Sequence, residues 1–235
     1  MNIIDLAVLF MLGIGFLIGW YKGFLYTVVN SASFFIAWLL AFIFNGPLSS
    51  LIYRNSEISK SLLYYTAGAE KLSDMTIANV DVAELSVSKI QEVISTSGLP
   101  KPIATQMEQN ILRQVFYEDG IYTMSDYFNQ TIINLALNLI CFLMIYFAVR
   151  IISVFIIELV DKVYSLPVLK TKDSLYGGLF GLLQGAMIAF VVFSVIPLFF
   201  SILPLDSVNA LIQESLLGRL FFNANIIFNV LPGTV

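Results

Sequence analysis

Apolar residues in this chain gather into four long runs, Ile3–Trp20, Phe24–Phe44, Ile132–Ile157 and Leu175–Ile196. Each is about as long as the ~20 residues a helix needs to cross a ~30 Å hydrocarbon core. A helix on the surface of a soluble domain carries instead one apolar stripe, broken every few residues by polar positions. The runs therefore predict an all-α membrane protein with four transmembrane helices. A helical insertion separates helices 2 and 3, and an amphipathic helix closes the chain. The corresponding segments are a hairpin over 1–44, an insertion over 45–131, a second hairpin over 132–205 and an interfacial tail over 206–235.

Within the insertion the pattern changes to short helices. Val82, Leu85, Ile90, Val93 and Ile94 alternate with Glu84, Lys89 and Glu92. Pro102 suits a first helical turn, and the helix it opens would align Ile103, Met107, Ile111 and Val115 on one face. Thr123 followed by Asp126 resembles a capping box, which starts a long helix running into the third span. After Pro204, the tail interleaves Val208, Leu211, Ile212, Leu216, Leu220, Ile227 and Val230 with Asn209, Gln213, Glu214, Arg219, Asn223 and Asn229. That mixture fits an amphipathic helix lying in the membrane interface.

Three spans carry small residues at four-residue spacing: Gly15, Gly19 and Gly23 in the first, Ser33, Ala37 and Ala41 in the second, and Gly177, Gly181 and Gly185 in the fourth. Such rows let helix backbones approach closely in lipid, where van der Waals contact replaces the hydrophobic drive. They predict that the first and fourth helices cross closely, either within one chain or between copies in a homo-oligomer. Polar groups inside the spans are sparse. Asn134, Asn138 and Cys141 share a face of the third helix, and Gln184 can hydrogen-bond between helices. Arg150 lies twelve residues after Asn138, about 120° around the helix at 100° per residue. It is expected to snorkel to the boundary or to pair with Glu158 or Asp161. Asp5 suits the positive end of the first helix, and Pro197 is expected to kink or end the fourth.

Composition narrows the chemistry. Of 235 residues, 58% are hydrophobic and 12% charged, and there is no histidine. The usual general base, Ser-His-Asp or Cys-His pairings and the commonest metal ligand are therefore missing. No catalytic, cofactor-binding or metal-binding residue is predicted, and no cofactor. A net charge of −4 offers no basic surface for nucleic acid. The single cysteine, Cys141, reads as a small hydrophobe. The N-terminus lacks the basic start of a cleaved signal, so Ile3–Trp20 reads as a retained helix. Lys22 in the first turn and Arg150, Lys162, Lys170 and Lys172 around the loop between helices 3 and 4 place both short loops in the cytoplasm. The insertion, with six basic and ten acidic residues, and both termini then lie outside.

Several stretches are similar to the colicin V production (CvpA) family of bacterial inner-membrane proteins. They are Asp5 opening the first span, Gly19-Trp-Tyr-Lys-Gly-Phe24 in the first turn, Ala37-Trp38 in the second span, and Asp173-Ser-Leu-Tyr-Gly-Gly-Leu-Phe-Gly181 leading through Gln184-Gly185. The insertion and tail are longer than in compact members, and turn positions often Arg in the family are Tyr21 and Lys22 here. The resemblance implies a plasma-membrane protein associated with colicin V production or export and with envelope homeostasis, with no chemistry attached to its fold. The serine protease fused to a similar module in some relatives cannot be carried over to a chain without histidine. The expectation is a non-enzymatic accessory or scaffold in the lipid bilayer, meeting an envelope or export partner through 45–131. The alternative is a small oligomeric channel or transporter built on Asn134, Asn138, Gln184 and Arg150.

Overall fold

The computed structural model describes residues 2–54, 58, 60–61, 68–72, 74–164, 174–202, 206–225, 227 and 231. Their helices are α1 (Ile3–Lys22), α2 (Phe24–Tyr53), α3 (Val87–Thr96), α4 (Lys101–Leu112), α5 (Met124–Tyr164), α6 (Ser174–Ile202), α7 (Asp206–Glu214) and α8 (Leu216–Asn223). Four of them, α1, α2, α5 and α6, are long and apolar enough to cross a membrane. Lys170, Lys172, Asp173, Glu57 and Pro204 lie outside the described residues. The chain packs as two compact units. One comprises Met1–Asn45, Cys141–Ser194 and Val208–Ile227; the other comprises Gly46–Ile140, Val195–Ser207 and Phe228–Val235.

In the first unit, α1 begins with a true capping box. The Asn2 side chain accepts from the Ile4 and Asp5 amides, and Asp5 accepts from the Asn2 amide. The helix stops at Gly23, whose φ of 86° lies in the region L side chains avoid. This allows α2 to start at the next residue and return antiparallel.

Glycines let α1 and α6 touch backbone to backbone. A Cβ placed on Gly15 would overlap the Gly181 carbonyl oxygen, and one on Gly19 would overlap that of Gly177. One on Gly185 would sit 2.8 Å from the Met11 carbonyl oxygen. Gly23 serves chiefly the turn, although its carbonyl carbon would lie 2.8 Å from a Cβ on Gly177. Ala37 and Ala41 on α2 are fully buried. Aromatic rings complete this core: Phe42 lies 4.9 Å from Phe142, and Phe142 stacks on Tyr146 at 6.2 Å.

Of the two outcomes expected at Pro197, a kink or an end, the helix does not end there: α6 continues through it to Ile202, because one missing amide removes a single rung of a long helix. The tail forms two short helices rather than one. It breaks at Ser215, which caps α8 by accepting from the Gly218 amide at 2.8 Å. Part of its apolar side is covered: Ile212 and Phe222 are fully buried and Phe221 meets Phe190 edge-on at 4.7 Å, while Leu216 and Leu220 stay exposed.

The second unit has its own core. Ile90, Val93 and Ile94 of α3 and Ile103, Met107 and Ile111 of α4 are buried with Met124, Tyr127, Phe128 and Ile132 of α5. The pattern over Val82–Ser95 splits into a 3₁₀ turn, Val82–Glu84, and α3, which Ser86 caps by accepting from the Lys89 amide. The apolar row on α4 ends at Ile111. Val115 lies beyond the helix and is exposed, because Gln114 turns the chain into the left-handed region at φ 51°. Thr123 caps α5 by accepting from the Asp126 amide at 3.3 Å and donating its hydroxyl proton to the Asp126 carboxylate at 2.6 Å. The segment before it pairs with residues 78–82: Val82 N–H donates to Tyr122 O and Met124 N–H to Val80 O. Tyr117 donates to Asp81 at 3.4 Å, and the negative charge of Asp81 holds the phenol proton so that its pKa is raised above 10.0.

The contact between α1 and α6 yields a sharp contrast. Gly181→Val should destabilise the protein by about 3 kcal/mol or more, since backbone atoms cannot yield to the added carbons. Gly13→Ala, where nothing lies within 4 Å of the new Cβ, should stay within about 1 kcal/mol of the parent and lean towards stabilisation. Thermal unfolding of the solubilised protein distinguishes them.

Candidate functional site

The polar side chains of the spans in the first unit converge on α2. Asn30 lies seven residues past the Gly23 turn, about 10 Å along the helix at 1.5 Å per residue. Gln184 of α6 donates to the Thr27 carbonyl at 3.0 Å and to the Ser31 hydroxyl at 2.9 Å, and its own carbonyl accepts from Asn30 at 3.3 Å. On the other side of Asn30, the amide oxygen accepts from Arg150 Nη2 of α5 at 3.2 Å, while Arg150 Nη1 donates to the Ser33 hydroxyl. The guanidinium carbon also lies over the Phe34 ring, 3.7 Å from its centroid. Three helices are thus joined by one chain of hydrogen bonds, Gln184–Asn30–Arg150.

Arg150 bonds to Asn30 and Ser33 and lies over Phe34 across the helix interface; Glu158 does not pair with it, and the Asp161 side chain lies outside the described ones. The reason is geometric. Glu158 lies eight residues along the same helix, whereas α2 presents acceptors and an aromatic face within reach. The planar fork of arginine can bond to two acceptors while stacking on a ring, which lysine cannot reproduce. In a low-dielectric span such a stack is worth about 2 kcal/mol or more.

Ser33, grouped in the sequence with Ala37 and Ala41 as a small packing residue, is therefore also a hydrogen-bonding group. Asn30, Thr27 and Ser31 were missed in the sequence because their polarity is modest and scattered among apolar neighbours. Their spacing of three and four residues, which puts them on one face of α2, was the available signal. Thr27 and Ser31 return their hydroxyl protons to carbonyls one turn back, at 2.7 Å each, which is how hydroxyls become tolerable in a span.

Asn134 and Asn138 belong to the second unit and are both buried. Asn134 accepts there from Gln130 at 3.1 Å, and Gln130 in turn bonds to Tyr53. Cys141 is buried as a free thiol.

Asp5 is a further functional group that the dipole argument only partly described. It is buried, and one carboxylate oxygen accepts from the Ser215 hydroxyl at 2.6 Å and the Leu217 amide at 2.9 Å, while the other serves the capping box. One carboxylate thus caps both α1 and α8 and anchors the tail. Asn225 adds a second tie by donating to the Phe190 carbonyl at 3.0 Å.

Chemically, the Gln184–Asn30–Arg150 chain consists of amides, hydroxyls and a fixed guanidinium charge. It can hold helices in register and present a positive charge, but it offers no group that gains and loses protons near neutral pH. Among the described residues, no three His, Cys, Asp or Glu side chains converge to hold a metal ion.

The fold defines a multi-span helical membrane protein in which glycine contacts and one polar chain fix the helices. A family model described as Colicin V production protein matches residues 115–225, so that stretch of the chain is similar to the colicin V production (CvpA) family. The Asp173–Gly185 stretch that carries part of the resemblance lies inside the match; Asp5, Gly19–Phe24 and Ala37-Trp38 lie before it. No curated protein and no solved structure matches the chain.

If the polar chain acts as one unit, its ends are energetically coupled. The double variant Arg150→Lys with Gln184→Ala should then depart from additivity by at least about 0.5 kcal/mol. Unfolding of the two single variants and the double variant in nanodiscs provides that comparison, and Arg150→Lys alone should cost about 1–2 kcal/mol despite its conserved charge.

Proposed function

We propose that this chain is a non-enzymatic accessory protein of the bacterial plasma membrane, serving envelope homeostasis or the production and export of a colicin V-type toxin. The first unit acts as the membrane anchor, and the helical insertion between α2 and α5 meets an envelope or export partner. Both short loops face the cytoplasm, and the insertion and both termini face outside.

The observation that carries this reading is that the strongest polar groups of the anchor, Arg150, Asn30 and Gln184, are engaged with one another across three helices. They are used for assembly, while the second unit builds a separate core and leaves Met75, Val87 and Leu112 exposed. The family match over 115–225 supports the toxin-production setting. A second reading, a small oligomeric channel or transporter, draws on the Arg150 charge, which meets only neutral groups among the described residues.

Complementation tests the choice. In cells lacking the protein, a chain carrying Met75→Ser, Val87→Ser and Leu112→Ser should reach the membrane at parental levels. It should recover less than about a tenth of toxin secretion or detergent resistance. Full recovery by that chain removes the accessory reading, and ion flux through vesicles holding only the purified protein replaces it with the channel.

A further inference from the structure

The second unit carries a partly open cavity of about 460 Å³ lined by Tyr53, Val115, Phe116, Asp119, Ile121, Gln130 and Asn134. That volume lies within the few hundred to ~1,000 Å³ of small-molecule sites. Its polar wall is ordered from within. Gln130 Nε2 donates to the Tyr53 hydroxyl at 2.8 Å and to Asn134 Oδ1 at 3.1 Å. These bonds fix the Asn134 amide with its oxygen engaged and its nitrogen turned to other use. Asn134 is only 1% exposed, and its Nδ2 has no hydrogen-bond partner among the described residues. That nitrogen is reached from the cavity, so its donor is free for an acceptor that arrives from outside the chain.

The opposite wall is held under strain. Helix α4 ends in a Schellman turn: Gln114 N–H donates to Ile111 O at 3.0 Å, and Val115 N–H to Asn110 O at 3.1 Å. The left-handed position of that turn is normally glycine. Here it is Gln114, at φ 51°, the one described non-glycine residue with positive φ. The next two residues, Val115 and Phe116, line the cavity. Strained backbone of this kind persists where the surrounding structure needs it, and it clusters at ligand sites.

Charge selects the ligand. Asp119 is exposed and, among the described residues, is the one charged group of the lining, with no Lys or Arg beside it. Phe116 and Tyr53 also border the cavity, and aromatic rings attract cations. We propose that this cavity binds a small organic amine that carries a hydrogen-bond acceptor at its other end. The ammonium meets Asp119, and the acceptor takes a hydrogen bond from Asn134 Nδ2. The inference is independent of the accessory reading, since it concerns recognition within one unit, whatever the partner of the whole chain.

The test uses the full chain in nanodiscs and three probes of one shape: tyramine, 4-propylphenol and 3-(4-hydroxyphenyl)propionate. Binding is read by equilibrium dialysis against empty nanodiscs. The site predicts that tyramine binds at least tenfold more tightly than the propionate and more tightly than the neutral phenol. Asp119→Asn, at an exposed position, should erase the preference over the neutral phenol. Asn134→Leu should weaken all three probes, and its fold is checked by its unfolding temperature. Equal binding of the three probes, preference for the anion, no binding above empty nanodiscs, or a preference unchanged by Asp119→Asn each overturns the proposal.

Discussion

The first unit depends on one steric fact: α1 and α6 come so close that no side chain fits between them. Gly15, Gly19, Gly177, Gly181 and Gly185 each occupy a place where a Cβ would strike the opposite backbone. In lipid, apolar side chains gain little from meeting each other, so the free energy of helix association must come from contact density and from weak backbone interactions. Removing the side chains along one seam maximises both. It also sets the depth at which neighbouring groups meet. With α6 drawn against α1, Gln184 on its flank reaches Thr27, Asn30 and Ser31 of α2, which is already tethered to α1 by the Gly23 turn.

The polar contacts then give the seam its register. Glycine faces can slide, because they hold no shape of their own. Gln184 fixes α6 on α2 through three hydrogen bonds, and Arg150 fixes α5 on the same stretch of α2 through Asn30, Ser33 and Phe34. Every amide in this chain has a partner, which lets polar groups inside a span act as specific joints at tolerable cost. At the start of α1, Asp5 does similar work for the tail. Its two oxygens serve two helix starts, so the fold of α8 is tied to the first turn of the chain.

Much of this could be read along the chain, and some could not. The four spans were visible because ~20 apolar residues in succession have few other uses. The glycine spacing was visible because a period of four marks one helix face. The Arg150 contacts were hidden because they run across helices, and reasoning along α5 alone offered only Glu158 and Asp161. Asn30 was hidden for the same reason: its role arises from standing between two groups that are 34 residues apart on other helices. The break at Ser215 follows from its side chain capping α8 and bonding to Asp5, and nothing in the local alternation of the tail signals a partner at position 5. The strained turn at Gln114 was invisible in principle, since a glutamine carries no mark of left-handed backbone.

The central claim is that the glycine seam lies within one chain and not between copies. In a Cys141→Ser background, Phe16→Cys and Gly178→Cys place two thiols across the seam, where a Cβ on Gly178 would touch the Phe16 ring at 2.5 Å. Mild oxidation in native membranes, followed by non-reducing electrophoresis, reads where the disulfide forms. An intramolecular seam predicts a cross-linked monomer of altered mobility at every expression level. A disulfide found only in dimers, rising with expression, would make the seam a contact between subunits and contradict the account.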